Sequence, residues 1–491
     1  MLRSSFLRRA STGLFAPLLC ALSLSLAGCP GEQTAVQTGR SPIANKWFER
    51  AKAEMATADF EEAKDSIDKA LTGAPDDVEV KVLAAQVHLA MLDYAEAVRL
   101  LRDVHSSQAS ALRGRALWYK GDLEGAADEL EAMLNDPDIV DDWAKSIAKL
   151  ARRGAGRSPF TISGALLGAV EMPHVSPAAP FFVVPVEIDG EPALSLVSTG
   201  FAEVVLDSTT HAEPSWISLR FGGKLEVNDV PALAQDLSGL SKQVGAPIKA
   251  VLGVNLLRHL HATIDFGGRQ FVARSFSPPP PPDATRVPLY YWKGGGMLMK
   301  GSLGPSAASM LIDTAMALPV ALDDAGWKKA GIDAKDLKLV PDDPEKKLKE
   351  GTIPLLKVGS YEISQVPGYF NDQVKTVEAK LAFNIDGMVG NGLLAYYRMT
   401  FGDGGRILWL EDNLSVQRIL SGNTQPAGPR LTPPGEGPIE GAPTQIVPEP
   451  PPPEPVLKNP AAPNKPGPAD SPRSGSSNPG PKTPKDSSKG P

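Results

Sequence analysis

Cysteine is nearly absent: the 491-residue chain has two, Cys20 and Cys29, both within the first thirty residues. Those residues carry Arg3, Arg8 and Arg9, then an apolar stretch from Leu14 to Leu26, then small residues, the layout of a secretory targeting segment and not of a fold. A chain cleaved there makes no internal disulfide, so its stability has to come from packed cores. Aromatic residues are scarce at 6%, yet 42% of residues are hydrophobic, enough for ordinary cores, which excludes disorder throughout. Basic excess is lacking too: a net charge of -7 with no clustered basic face excludes nucleic acid as a partner. No Gly-x-Ser-x-Gly elbow is present, so a serine hydrolase of that type is disfavoured. The three glycines of "WKGGGMLMKG", from Trp292, lead into no Lys-Ser/Thr helix and read as a hairpin turn, not a phosphate loop. His259 and His261, two apart on an expected strand, would share a face, but no third ligand is near them. No metal and no cofactor is expected.

Within the targeting segment, "LAGC" at Leu26, Ala27, Gly28 and Cys29 resembles the lipobox of bacterial lipoproteins. The resemblance implies a signal peptide over 1–28, removed so that a lipidated Cys29 becomes the N-terminus, with a linker over 29–43. Several acyl chains on one residue anchor a protein stably, where one chain is marginal. Pro30 stands where that family places an Asp for inner-membrane retention, which favours the outer membrane of the cell envelope.

From 44 to 150 an internal repeat is visible. "DFEEAKDSIDKAL" begins at Asp59, "DYAEAVRLLRDV" at Asp93 and "DLEGAADELEAML" at Asp122, intervals of 34 and 29 residues. Ala63, Ile67 and Ala70, then Ala97, Leu101 and Val104, then Ala126, Leu130 and Met133 recur at helical spacing, and Gly73, Pro75 and Pro137 supply the stops. Such faces bury themselves only against neighbouring helices. The pattern resembles tetratricopeptide repeats, with Trp47, Ala63 and Pro75 matching in the first repeat. That likeness allows either a groove for a protein partner or a packed spacer holding the next domain off the membrane.

Past "ARRGAGRSP" the periodicity changes to short apolar runs broken by Gly and Pro, such as "FFVVPVEIDG" and "MTFGDGGRILWLED", an all-β signature. Five prolines, Pro278 to Pro282, divide it into a lobe over 160–276, a Pro-rich linker over 277–285 and a second lobe over 286–420. The stretch 421–491 is expected to be disordered: its Pro426–Pro491 part holds 21 of the chain's 47 prolines and no aromatic residue. The expected architecture is therefore multidomain, a helical repeat stack followed by a two-lobed all-β domain and a Pro-rich tail.

The two lobes repeat one order. The first has "LVSTG", then "AVLGVNLL", then "ATIDFGGRQF"; the second has "LIDTAMALPVALDD", then "GMVGNGLL", then "RMTFGDGGRILWL". This order resembles the retropepsin-like and pepsin-like aspartic peptidases. The resemblance implies that Asp313 is a catalytic aspartate, that Ser198 stands where the other is expected, and that Thr199 and Thr314 carry hydroxyls that cross between lobes. It places Gly200 and Ala315 after the threonines and Gly253 and Gly390 at tight positions beside the two turns. Ala315 replaces a usual Gly and would strain a turn that needs positive φ. In that family two carboxylates share one proton so that one accepts from water while the other donates to the carbonyl. Ser198 supplies none. Binding of an extended peptide or protein is then the leading function, strand-like pairing in a cleft being independent of the dyad. Two alternatives stay open: an endopeptidase using Asp313, either with a second acid such as Asp207 or Asp265 brought in from elsewhere or by pairing two copies of the second lobe across molecules, and a scaffold whose repeats do the binding.

Cys29→Ala is expected to move the protein out of the membrane fraction or to stall its processing. Fractionation with mass analysis of the N-terminus checks this, and a soluble wild type with an unmodified N-terminus overturns it.

Overall fold

The computed structural model describes residues 39–412 apart from 177–179, 294, 342–346, 372 and 382. Cys29, the 1–28 segment and the 421–491 tail lie outside the described residues.

Seven helices come first: α1 (Pro42–Ala56), α2 (Phe60–Gly73), α3 (Val78–Ala90), α4 (Tyr94–Leu101), α5 (Ser107–Lys120), α6 (Leu123–Leu134) and α7 (Asp142–Arg153). The repeated aspartates explain the register. Asp59, Asp93 and Asp122 each sit at the N-cap of the second helix of a pair, and the Asp93 and Asp122 carboxylates accept from Glu96 N and Gly125 N. Ser41, Asp77, Ser106 and Asp141 cap α1, α3, α5 and α7 in the same way. Every apolar position of the repeated pattern, from Ala63 to Met133, is buried, so three helix pairs and α7 form one stack.

The β region contains β1 (Thr161–Gly164), β2 (Leu167–Glu171), β3 (Val183–Ile188), β4 (Glu191–Val197), β5 (Val204–Asp207), β6 (Ser215–Phe221), β7 (Leu225–Gln235), α8 (Ser238–Val244), β8 (Ile248–Leu252), α9 (Val254–His259), β9 (Thr263–Asp265) and β10 (Gln270–Arg274). It continues with β11 (Thr285–Tyr291), β12 (Met297–Leu303), β13 (Ser306–Asp313), β14 (Val320–Leu322), α10 (Asp324–Lys329), β15 (Lys338–Leu339), β16 (Lys349–Val358), β17 (Tyr361–Phe370), α11 (Gln373–Leu381), β18 (Gly387–Gly390), α12 (Asn391–Leu394), β19 (Tyr397–Gly402) and β20 (Ile407–Asp412). Strands β7-β5-β8-β4-β3-β6 close on themselves through the β6–β7 pair, and β17-β14-β18-β13-β12-β16 close through β16–β17. Strand directions match at every step. In each barrel one strand lies parallel to its neighbour at the same two places, β5–β7 and β4–β8 in the first, β14–β17 and β13–β18 in the second.

A third sheet, β2-β10-β9-β19-β20-β11, joins the barrels, half of its strands coming from each side of the proline segment. Its centre is the antiparallel β9–β19 pair, Thr263 opposite Thr400, and the two threonine hydroxyls bond to each other at 2.9 Å. The lobes are thus continuous through main-chain hydrogen bonds and not merely tethered at Pro278–Pro282. His259 and His261 depart from the expected strand: the first ends α9 and the second follows it at φ 42°. The reason is the spacing of Leu256, Leu257 and Leu260, which bury one helical face into the first barrel.

The helices share a core with the second barrel. Phe60 of α2, fully buried, stacks on Tyr290 of β11 with ring centroids 5.2 Å apart and meets Phe383 edge-on at 6.0 Å. Leu298, Leu311 and Met388 complete this joint cluster. Phe60→Ala is expected to cost about 3–5 kcal/mol, the usual range for a buried aromatic. Because the ring is shared, helical and β signals should fall together in one urea transition at lower midpoint; loss confined to the helical signal would contradict a joint core.

Candidate functional site

The turn after β4 and the turn after β13 are equivalent by barrel topology, and they meet. Thr199 donates its hydroxyl to Ile312 O at 2.7 Å and accepts Thr314 N–H at 3.1 Å; Thr314 donates to Val197 O at 3.0 Å and accepts Thr199 N–H at 3.0 Å. Both threonines are buried, so these four bonds satisfy groups that water does not reach. Each donor and acceptor has its counterpart in the other barrel.

Behind each turn a glycine lets two backbone segments touch. A Cβ on Gly253 would lie 2.1 Å from Glu203 O, and one on Gly390 would lie 2.4 Å from Met316 O. Any side chain there would push the turn out of place. Val254 N and Asn255 N then bond Phe201 O and Ala202 O at 2.9 and 3.1 Å, and Asn391 N bonds Met316 O at 2.7 Å.

At the heart of the site, Ser198 and Asp313 make the same local bond. Ser198 Oγ accepts Gly200 N–H at 3.3 Å, and Asp313 Oδ1 accepts Ala315 N–H at 2.9 Å. The serine hydroxyl therefore occupies in one barrel the role the carboxylate has in the other. Burial pushes the Asp313 carboxyl above its usual range, offset in part by the Ala315 N–H. No other carboxylate takes part in that shift. Asp207 is engaged elsewhere, with Thr209 Oγ1 at 2.6 Å and Lys249 Nζ at 3.0 Å, and those bonds hold it at about 2. Asp265 accepts from Gly268 N at 2.6 Å in the joining sheet. The second acid that peptidase chemistry requires is supplied by neither.

Gly200 and Ala315 differ for a reason that the geometry exposes. A Cβ on Gly200 would sit 3.1 Å from Asp313 Oδ1, tighter than side chains ordinarily pack, so a methyl opposite the carboxylate would press on it. Ala315 holds the equivalent place in the second barrel by the pseudo-two-fold relation, and the residue that corresponds to Asp313 there is the smaller Ser198. Ala315 is outside the positive-φ residues, so the strain expected of a methyl there does not arise.

Two groups that the sequence did not single out, Glu203 and Arg115, frame the site. Glu203, buried, accepts Trp118 Nε1–H at 3.3 Å and Tyr119 O–H at 3.1 Å from α5, and burial raises its carboxyl. Arg115 donates to Lys293 O at 2.8 Å, pinning the β11–β12 turn onto α5. Gly200, Phe201, Trp292 and Arg115 line a cavity of about 270 Å³ beside the first of the two turns. A second cavity of about 430 Å³ runs along α1, α3 and α5 under Trp292 and Phe383, and the two share Arg115, Trp292 and Lys293. The sequence carries no pattern for this, since it arises from the docking of helices on barrels. Among the described residues, no three His, Cys, Asp or Glu side chains come together as a metal would need.

No protein-family model matches the chain, and no curated protein does. Among solved structures the chain is similar to a retropepsin-like aspartic protease from Rickettsia conorii, at 19% identity over 26% of this chain and 91% of that one, with a TM-score of 0.21. It is also similar to the Sgt2 TPR domain from Aspergillus fumigatus, at 22% identity over 23% of this chain and 80% of that one, with a TM-score of 0.22. At TM-scores of this size neither likeness carries weight on activity.

Asp313→Asn tests the burial of a lone acid. A carboxyl raised above its unfolded value favours folding below the unfolded pKa and loses that contribution as pH rises through the folded pKa. The amide keeps the acceptor for Ala315 N–H without charge, so the variant should melt above wild type at pH 7–8. The gap should close as pH falls through the carboxylate range. A variant that melts lower at neutral pH would mean that the ionised carboxylate is stabilised by a partner.

Proposed function

We propose that the chain is a lipid-anchored envelope protein whose β region has the aspartic-peptidase plan with lapsed catalysis, and that it binds extended peptide or unfolded protein in the cleft beside the two turns. The observation that carries this reading is the equivalence of Ser198 and Asp313: the interlocked threonines and tight glycines of a peptidase site are present around one titratable group. Water activation in such enzymes needs one ionised and one protonated carboxyl in contact, and a hydroxyl beside a carboxyl offers one member of that pair. The cavity next to Gly200 is lined by residues of both lobes, Val205 and Leu233 from the first and Trp292 and Gly296 from the second, and binding of an extended chain needs no dyad.

The repeats belong to the same binding surface in this reading. Their inner face is roofed by Trp292 and Phe383, so a ligand lying there touches the β region as well. Anchoring through Cys29 rests on the sequence signal alone.

The decisive experiment restores the dyad. Ser198→Asp alone would press its carboxylate against the Ala315 methyl, as a methyl on Gly200 would press Asp313. The pair Ser198→Asp with Ala315→Gly is expected to gain acid-optimum cleavage of an unfolded protein substrate, abolished by adding Asp313→Asn. Wild type should cleave nothing above background while still retaining the unfolded substrate in a binding assay. Robust acid-dependent cleavage by wild type that Asp313→Asn removes would establish the endopeptidase alternative instead.

A further inference from the structure

Where the helical stack meets the first barrel, away from the two turns, a cavity of about 290 Å³ is lined by Tyr94, Tyr119, Arg258 and Arg406, with His259 and His261. No carboxylate lines it. Arg258, on α9, is only 5% exposed. Its guanidinium lies over the rings of Tyr94 and Tyr119, 5.4 and 6.0 Å from their centroids, and Nη1 donates to the Tyr94 hydroxyl at 2.6 Å. It makes no ion pair among the described residues, and its Nε is buried with no hydrogen-bond partner. Glu203 lines the adjoining cavity of about 280 Å³ that Arg258 also reaches, but its oxygen is committed to Trp118 and Tyr119. A buried arginine is ordinarily paired, because an uncompensated charge out of water is costly.

The remaining groups add positive charge or none. Arg406, exposed at the mouth, contacts Leu92 O at 3.4 Å and carries no ion pair among the described residues. Burial and the Arg258 charge hold His259 down at about 4, and burial lowers His261, so both rings are neutral near pH 7. A planar guanidinium with one donor, Nε, left without a partner, on a residue that lines a basic, carboxylate-free cavity, is the kind of group that takes an oxyanion.

We propose that this cavity is a binding site for the oxyanion of a small molecule, a phosphate or carboxylate group, held by Arg258 at the floor and Arg406 at the rim. It is separate from the Ser198–Asp313 site and stands whether or not peptide binds there.

Isothermal titration of the full chain with inorganic phosphate, and separately with acetate, in chloride buffer of constant ionic strength tests it. Saturable uptake of one anion per chain is expected, and the tighter of the two names the group. Arg258→Met should weaken it by at least about tenfold, the loss of a hydrogen bond to a charged group. Arg406→Gln should weaken it about threefold, as removal of a rim charge does, and Arg406→Glu should abolish it. Should Arg258→Met fail to fold, the two variants at exposed Arg406 decide the matter. No saturable binding of either anion by wild type, or binding indifferent to Arg406→Glu, overturns the proposal.

Discussion

Two threonine hydroxyls, each shut away from water and each needing both a donor and an acceptor, are satisfied only across the boundary between the barrels. Thr199 and Thr314 exchange four bonds there. Loss of one hydroxyl would orphan a main-chain carbonyl and an N–H together, so the two turns are fixed relative to each other far more tightly than side-chain packing alone would fix them. Everything at the centre follows from this: Ser198 and Asp313 are brought to equivalent places, and the glycines behind them exist to let the turns approach.

The helices take part in the same arrangement. Glu203 stands three residues past Gly200 and is bonded by Trp118 and Tyr119 of α5, so the first turn is braced by the repeat stack. On the other side Arg115 holds the β11–β12 turn. The buried Glu203 contacts and the exposed Arg115 contact tie α5 to the first turn and to the β11–β12 turn. Arg115 of α5 lines the cavity beside the first turn, and the stack shares a core around Phe60 with the second barrel.

What could be read from the sequence was what is encoded locally. The capping aspartates and the small residues at helical spacing marked the repeats, and the doubled order of turn, glycine and hairpin marked two equivalent lobes. Ser198 and Asp313 were readable as counterparts for the same reason, since a residue within a turn carries its own context. The joining sheet was not readable, because β9 and β19 are far apart in the chain and nothing in "ATIDF" or "RMTF" names its partner. His259 was misassigned to a strand because three apolar residues beside two histidines fit either period over so short a run. Arg258 gave no signal at all. Its meaning depends on Tyr94, 164 residues away, closing over it.

The joining sheet also bears on how such a chain can be made. Its central pair links Thr263 to Thr400, 137 positions apart. As the chain emerges from its N-terminus, the first barrel and β2-β10-β9 have all their own residues long before β19 is available. During that interval β9 presents an unpaired edge, the kind of surface on which foreign strands add and aggregates begin. On the early side of that sheet stand Asp265 of β9 and Arg274 of β10, whose guanidinium donates to Thr263 Oγ1 at 2.7 Å. Charges along an open edge deter intruders until the proper strand arrives. Delivery of the second barrel thus ends the chain's most vulnerable interval, and a pause in synthesis between the barrels would be the moment at which a chaperone matters most.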